Sequence, residues 1–220
     1  MSPILHGLIA WLIAIAFATK LGDRRLIVIA GVAADIDGIF ILIDPSAYSV
    51  YHHTFGHSII FGVLIAVVAF FLAKNRLVTG LAALGAFSAH LLCDLVSSPW
   101  PIYPLSPFSG FGCEISSNFL GGFPYTQITL AVSIIALLLV IAVFYWKEVS
   151  PIEFFSEKID RLVVSTFVYP FKYKCAYCGK RAFRECETCK NKICPDHISN
   201  KAMFGCRKCS EDSISKPPNL

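Results

Sequence analysis

Four of the six histidines in this chain, His6, His52, His57 and His90, fall at the ends of strongly apolar stretches, and Asp35, Asp37 and Asp94 share that region. Ionisable groups are costly near lipid, so their presence needs a reason. Imidazole and carboxylate together form a donor set for a hard-to-borderline metal ion, and a bound ion offsets the cost of the apolar setting. The chemistry implied is metal-dependent hydrolysis at a membrane. His90 and Asp94, four apart in a stretch that reads as helix, emerge on one face a turn apart and can offer two ligands to one ion. Asp35 and Asp37 are two apart and diverge by ~200° on a regular helix. They serve different ions, or one of them orients a ligand from behind, or the helix is irregular near Gly38. Tyr51 to Ser58 holds three histidines in six positions. His53 and His57 share a face if the following helix starts early, whereas a start at His57 leaves His52 free to fold back.

A second set of ligands lies near the C-terminus. Seven of the nine cysteines fall between Cys175 and Cys209, as Cys175-x2-Cys178, Cys186-x2-Cys189, Cys194-x2-His197 and Cys206-x2-Cys209. Four ligand pairs suit two tetrahedral zinc ions with nothing left over. Thiolate zinc implies a reducing, cytosolic compartment, and it supplies the folding free energy that so short and polar a segment lacks. Cross-braced pairing gives one ion to Cys175, Cys178, Cys194 and His197 and the other to Cys186, Cys189, Cys206 and Cys209; adjacent pairing gives two sequential knuckles. Cys93 and Cys113 read as plain buried thiols.

The elements that must position these groups follow from composition. The chain has 220 residues, 55% hydrophobic and only 15% charged, with a mean hydropathy of +0.64, against ~25% charged in soluble domains. Residues 1–146 hold five Lys/Arg and six Asp/Glu, whereas residues 147–220 hold fourteen and nine. The first part therefore reads as membrane and the second as aqueous. Five apolar stretches, about Pro3 to Thr19, Leu26 to Ile43, Ser58 to Ala73, Leu77 to Val96 and Thr126 to Trp146, are near the ~17–25 residues a span needs, the third being short. No Lys or Arg precedes the first, so it reads as a retained helix and not a signal peptide.

Lys20, Arg24, Arg25, Lys74, Arg76 and Lys147 all fall on one side if the N-terminus is outside and the C-terminus cytoplasmic. That topology carries the cysteines inside and gathers His6, the Asp44 to His57 loop, His90, Asp94 and the Ser97 to Tyr125 loop toward the outer face. This last loop carries Trp100, Tyr103, Phe108, Phe111, Phe119, Phe123 and Tyr125, which suit interfacial anchoring or a lid over the site. Ile152, Phe155, Ile159, Leu162 and Val163 recur at helical spacing and predict an amphipathic helix on the inner surface or against the bundle. The five cations of the membrane part all lie at the opposite end, which leaves the carboxylates without side-chain partners of opposite charge. A metal or protonation must neutralise them, the latter as in a proton-coupled transporter.

Taken in order, His6, Ala34-Asp35-Ile36-Asp37, the run from His52 to Ser58, and His90-Leu91-Leu92-Cys93-Asp94 with Pro99-Trp100-Pro101 resemble the YdjM-like, LexA-regulated membrane-bound metal-dependent hydrolases. The resemblance covers about residues 1 to 146. Ala34 stands where that family has Pro, His53 where Arg is usual and Gly56 where Thr is usual; an Arg binds a phosphate oxygen bidentately and a His only weakly. The family's His/Asp set is similar to that of zinc-dependent phospholipases C and single-strand nucleases, which implies phosphoester hydrolysis by metal-activated water. On that resemblance His6, Asp35, His57, His90 and Asp94 are metal ligands, Asp37 is a ligand or general base, and His52 is a ligand or phosphate contact. One or two Zn²⁺ or other divalent ions are expected there, with a lipid or lipid-linked phosphoester as substrate. The cysteine spacing is similar to AN1-type fingers but ends in Cys-x2-Cys.

The expected fold is an all-α polytopic membrane domain of about five spans in residues 1–146, an amphipathic linker helix in 147–172, a two-zinc finger in 173–211 and a disordered tail in 212–220. The finger's expected partner is a protein, with nucleic acid second on the strength of Lys180, Arg181, Arg184, Lys190 and Lys192. The expected location is the plasma membrane. The rival functions are a non-enzymatic anchor that presents the finger, and a proton- or ion-coupled transporter.

Overall fold

The computed structural model describes residues 1–42, 44, 46, 48, 51–115, 124–199 and 205–209. Phe119, Phe123, the middle of the Asp44 to His57 loop and the 212–220 tail lie outside the described residues. The chain is mostly helical and divides into two compact units, Met1–Val140 and Ile141–Leu220.

Unit 1 contains α1 (Pro3–Phe17), α2 (Leu21–Val32), a 3-10 segment (Ala33–Leu42), α3 (Ile59–Leu72), α4 (Arg76–Ser97) and most of α5 (Tyr125–Lys147). Two of the starts have a local cause. Pro3 opens α1 behind Ser2, whose hydroxyl accepts from Leu5 N at 3.4 Å, and Ser58 caps α3 by accepting from Phe61 N at 3.2 Å. The start of α4 is served from elsewhere: the buried Asp23 carboxylate accepts from Lys74 N at 2.9 Å and from Asn75 N at 3.0 Å. This contact ties the α1–α2 turn to the α3–α4 turn, so the two cation-bearing turns lie at one end of the bundle.

Small residues let these helices approach closely. A Cβ on Gly31 would fall 2.3 Å from the Ala10 Cβ, and one on Gly62 would fall 2.4 Å from the Phe87 ring. Ala30, Ala69 and Ala83 are buried together, with Leu26 and Ile65 against them. The large apolar side chains point outward instead, as Leu64, Val67, Phe71, Leu81 and Leu138 do. Association through small residues with an apolar exterior is the packing a bilayer requires.

The helices α4 and α5, of 22 and 23 residues, are long and apolar enough to cross a membrane. The helices α1 and α3, of 15 and 14 residues, are shorter apolar helices, ~21–23 Å at the usual rise. The stretch expected as one helix from Leu26 to Ile43 is instead α2 followed by the 3-10 segment. At ~3 residues per turn, that segment sets Asp35 and Asp37 about 120° apart, so the two carboxylates serve different partners.

In unit 2, the periodicity that predicted one amphipathic helix is broken at Ser156. A 3-10 turn (Pro151–Phe154) precedes α6 (Glu157–Phe167), whose N-cap Ser156 accepts from Ile159 N. The buried Asp160 carboxylate accepts from both the backbone N and the hydroxyl of Ser150, at 2.8 and 2.6 Å, and fixes that break. Beyond it, α7 (Tyr169–Lys172) leads to a small antiparallel pair, β1 (Arg184–Glu185) and β2 (Lys192–Ile193), with Arg184 opposite Ile193.

Candidate metal centre

The 3-10 segment, the loop before α3 and the last turns of α4 bring the predicted residues of unit 1 to one place beside the start of α1. His6, Asp37, His57, His90 and Asp94 are buried, and Asp35 is half-buried. His6 Nε2 lies 3.2 Å from Asp94 Oδ1, His90 Nε2 lies 3.1 Å and His57 Nε2 3.3 Å from Asp94 Oδ2, and the two Nε2 atoms of His57 and His90 are 3.3 Å apart. Asp35 Oδ1 stands 3.6 Å from His90 Nε2. Ligands held at ~2.0–2.1 Å on a tetrahedral ion are about 3.3–3.4 Å from one another. The observed separations are those edges.

The protons on the far side of each ring decide what faces inward. His90 Nδ1 donates to the Gly31 carbonyl at 2.8 Å, and His57 Nδ1 donates to Asp37 Oδ2 at 2.9 Å. In the neutral rings, both Nε2 atoms are then lone pairs. Lone pairs and carboxylate oxygens converging in a buried space suit a cation among them. Three further atoms agree. The nitrogens of His6 and the Oδ2 of Asp35 are buried without a hydrogen-bond partner among the described residues; His6 Nε2 is close to Asp94 but out of line for a hydrogen bond. The donor set therefore fits a divalent ion of the zinc class.

Asp37, expected as ligand or base, has both oxygens occupied. Oδ1 accepts from His52 Nδ1 at 2.9 Å and Oδ2 from His57 Nδ1 at 2.9 Å. The carboxylate is thus placed to orient two imidazoles, as ligand-orienting carboxylates are, and Asp37, His52 and His57 together could also hold an ion themselves. The loop helix begins at Ile59, so His52 does fold back. Its ring stacks on Tyr48 with centroids 4.6 Å apart and meets the Trp100 edge at 5.8 Å. The loop after α4 accordingly has two roles. Trp100 covers His52 and His53, while Phe108 and Phe111 face outward. Backbone bonds pin it there: Tyr103 N donates to the His53 carbonyl at 3.1 Å and Ile59 N to the Pro104 carbonyl at 2.9 Å.

Two participants were not foreseen. The Met1 amino group contacts Asp94, so one carboxylate does have a cationic partner; an α-amino group carries no signal in a side-chain pattern. His53 is the other. It is buried, in the left-handed region at φ 69°, with Nε2 3.9 Å from Asp94 Oδ2. The cluster of three histidines was visible in the sequence, but the backbone reversal that turns His53 inward was not.

In unit 2 the ligand pairs interleave. Cys175, Cys178, Cys194 and His197 face one point, and Cys186, Cys189, Cys206 and Cys209 another. Cys178 Sγ is 3.5 Å from Cys194 Sγ, Cys189 Sγ is 3.7 Å from Cys206 Sγ, and Cys194 Sγ is 3.3 Å from His197 Nδ1. These are too long for a disulfide of ~2.05 Å and suit edges of a zinc tetrahedron with Zn–S of ~2.3 Å. None of the nine cysteines is in a disulfide. Burial pushes the Cys175 thiol up, but backbone donors at Tyr177, Cys194 and Cys178 more than reverse this and hold it at about 6. Cys186 is held at about 6 in the same way, against burial, by the backbone of Cys189 and Thr188. The next thiol in each set is opposed: burial and its neighbour Cys178 push Cys194 up, and the thiols of Cys206 and Cys189 push Cys209 up. A divalent ion is what lets four such ligands face one point in ionised form. Both sets could hold zinc.

No curated protein and no solved structure matches the chain. One family model does, that of the YdjM inner membrane protein, over residues 1–169. That stretch contains every His and Asp of the buried cluster and stops before the seven cysteines between Cys175 and Cys209. The chain belongs to the YdjM inner membrane protein family.

Proposed function

We propose that unit 1 is a membrane-bound, metal-dependent hydrolase of phosphoesters, with a lipid or lipid-linked phosphoester as substrate. The observation that carries this is the convergence of His6, His57 and His90 Nε2 with the Asp35 and Asp94 carboxylates at ligand-edge distances. These five residues would hold one or two divalent ions. A bound ion of this class polarises a phosphoryl oxygen and brings the pKa of water toward ~7. Asp37 positions His57 and His52, and His52, anchored through Nδ1 at the edge of the cluster, keeps Nε2 to take or give a proton. Trp100 and Tyr48 limit water around that ring.

The shared end of the two cation-bearing turns supports a five-span arrangement in the plasma membrane, with the site toward the outer face and the cysteine sets in the cytoplasm. The cysteine sets, with no open position, hold structural zinc in an AN1-like finger that binds a protein partner.

A proton-coupled transporter is the second reading. It is favoured by one observation, that His57 bridges Asp37 and Asp94 through both ring nitrogens in a continuous path. Metal analysis with a phosphodiester assay separates the two. Full-length protein should hold more zinc than the two finger ions and hydrolyse bis-p-nitrophenyl phosphate until a chelator is added, and His90→Ala should lose both the extra zinc and the hydrolysis. Zinc limited to the finger would rule out the hydrolase, and zinc retained without hydrolysis would leave an inert metal site in a membrane anchor.

A further inference from the structure

The roles assigned so far leave His53 unused, although it is among the most deeply enclosed polar residues of unit 1, only 2% exposed. Its Nδ1 is buried with no hydrogen-bond partner among the described residues. A buried imidazole without partners is a cost that a folded chain ordinarily avoids. Its backbone adds to that cost, because φ 69° is a left-handed conformation that a residue with a Cβ adopts only under constraint. The constraint is visible: the His53 carbonyl is held by Tyr103 N, and the next helix is held by Pro104 through Ile59 N. The loop therefore holds the two successive rings side by side, with centroids 4.3 Å apart, and directs them at different carboxylates, His52 at Asp37 and His53 toward Asp94.

What His53 meets there is a ligand set. Its Nε2 is 3.9 Å from Asp94 Oδ2, beyond hydrogen-bond reach but within the ~4 Å that two ligands of one ion can span. His57 Nε2 is 3.3 Å from the same Oδ2, and a ligand atom of each of His53, His57 and Asp94 lies within 4.8 Å of the other two. His6, Asp35, His90 and Asp94 form a separate set of the same tightness. Only Asp94 is common to both. Its Oδ1 faces His6 and the Met1 amino group, which an ion there would displace, and its Oδ2 faces His57 and His53 as well as His90. A carboxylate with ligands around both oxygens can bridge two ions ~3.5–4 Å apart.

We propose that His53, His57 and Asp94 form a second divalent-cation site in unit 1, with the Asp94 carboxylate bridging it to an ion held by His6, Asp35, His90 and Asp94. The proposal rests on reading this cluster as a metal centre. The two sites differ in kind. The His6 site has four protein ligands, whereas the His53 site has three and keeps a position open, the pattern of a catalytic zinc. Without an imidazole at position 53 this site would keep only two protein ligands, so the second ion depends on His53.

The test is a zinc count on purified full-length protein, loaded with Zn²⁺ and freed of excess, for wild type, His53→Ala and His53→Gln. The two cysteine sets, which could hold one ion each, are unchanged in every sample, and a fragment of the finger counted alongside sets their share of the zinc. The expected counts are about four per chain in wild type and about three in each His53 variant. A count near three in all samples overturns the second site and leaves the first. A count near four in a variant also overturns it. A count near two in wild type overturns the metal reading of the whole cluster. Size-exclusion profiles in detergent identify a misfolded variant, and the Gln variant, closer in size and polarity, then decides between the outcomes.

Discussion

Replacing Asp37 by asparagine keeps the shape of the side chain and removes half of what it does. The carboxylate accepts from His52 Nδ1 and His57 Nδ1 at 2.9 Å each, and it is only 2% exposed. An amide can accept at its oxygen only, so its NH₂ faces a ring N–H on the other side. That imidazole must release its hydrogen bond or move its proton to Nε2. If it is His57, the nitrogen that faces Asp94 and His90 becomes an N–H and stops being a ligand; if it is His52, proton transfer suffers. One hydrogen bond to a charged group is worth ~1.5–3 kcal/mol, and loss of a ligand-orienting carboxylate costs ~10–100-fold in metal affinity, or about 1.4–2.7 kcal/mol. A chelator-competition titration of full-length protein, with the finger zinc as folded control, should show a loss of that size or a comparable fall in kcat. Complete loss of the unit 1 zinc with the finger intact would show that Asp37 is itself a ligand. Affinity and kcat both within about twofold of wild type would refute the positioning role.

Gly56→Ala should lower the melting temperature and hydrolysis together. Its Cβ would fall 2.2 Å from the Ala34 carbonyl and 3.0 Å from Asp37 Oδ2, an overpacking of ~1–3 kcal/mol; an unchanged melt in detergent would contradict this. Asp23→Ala strands the N–H groups of Lys74 and Asn75 and should cost ~1–3 kcal/mol in unfolding free energy. Zinc stoichiometry should stay constant, because the change lies at the other end of the bundle. Stripping zinc from the cysteine sets should unfold the region between Lys174 and Cys209, since the two-residue strands hold little on their own. Limited proteolysis should then cut there while unit 1 stays intact, and a protease-resistant finger after chelation would count against metal-dependent folding.

Much of this arrangement was legible because ligand chemistry leaves spacing behind. His90 and Asp94 sit four apart on a true helix and do share a face, and the cysteine pairs carry their number and geometry in the sequence. What spacing did not give is the path of the backbone between the pieces. The 3-10 winding of Ala33–Leu42 depends on carboxylates that find partners elsewhere in the bundle, and no local propensity announces it. The inward turn of His53 depends on a hydrogen bond from Tyr103, fifty residues away. The amphipathic period after α5 was read correctly as a period, but Asp160 reaching back to Ser150 places a break where the pattern alone runs on.

The departures from the family pattern are linked through space. Gly56, where Thr is usual, has its missing side chain at the Ala34 carbonyl and beside the Asp37 carboxylate. Ala34 itself stands where Pro is usual. Lacking a side chain, Gly56 lets the loop close on the 3-10 segment, and the same closure brings His57 to 2.9 Å from Asp37 and His53 to 3.9 Å from Asp94. Gly56 and His53 are therefore coupled through one closure, in which the loop seats on the 3-10 segment and carries His53 toward Asp94. The consequence is directional: restoring bulk at Gly56 should move His53 away from Asp94 even with its imidazole intact. Gly56→Ala should then lose the second ion along with stability, while the His6, Asp35 and His90 side of the cluster, which it does not touch, keeps its own.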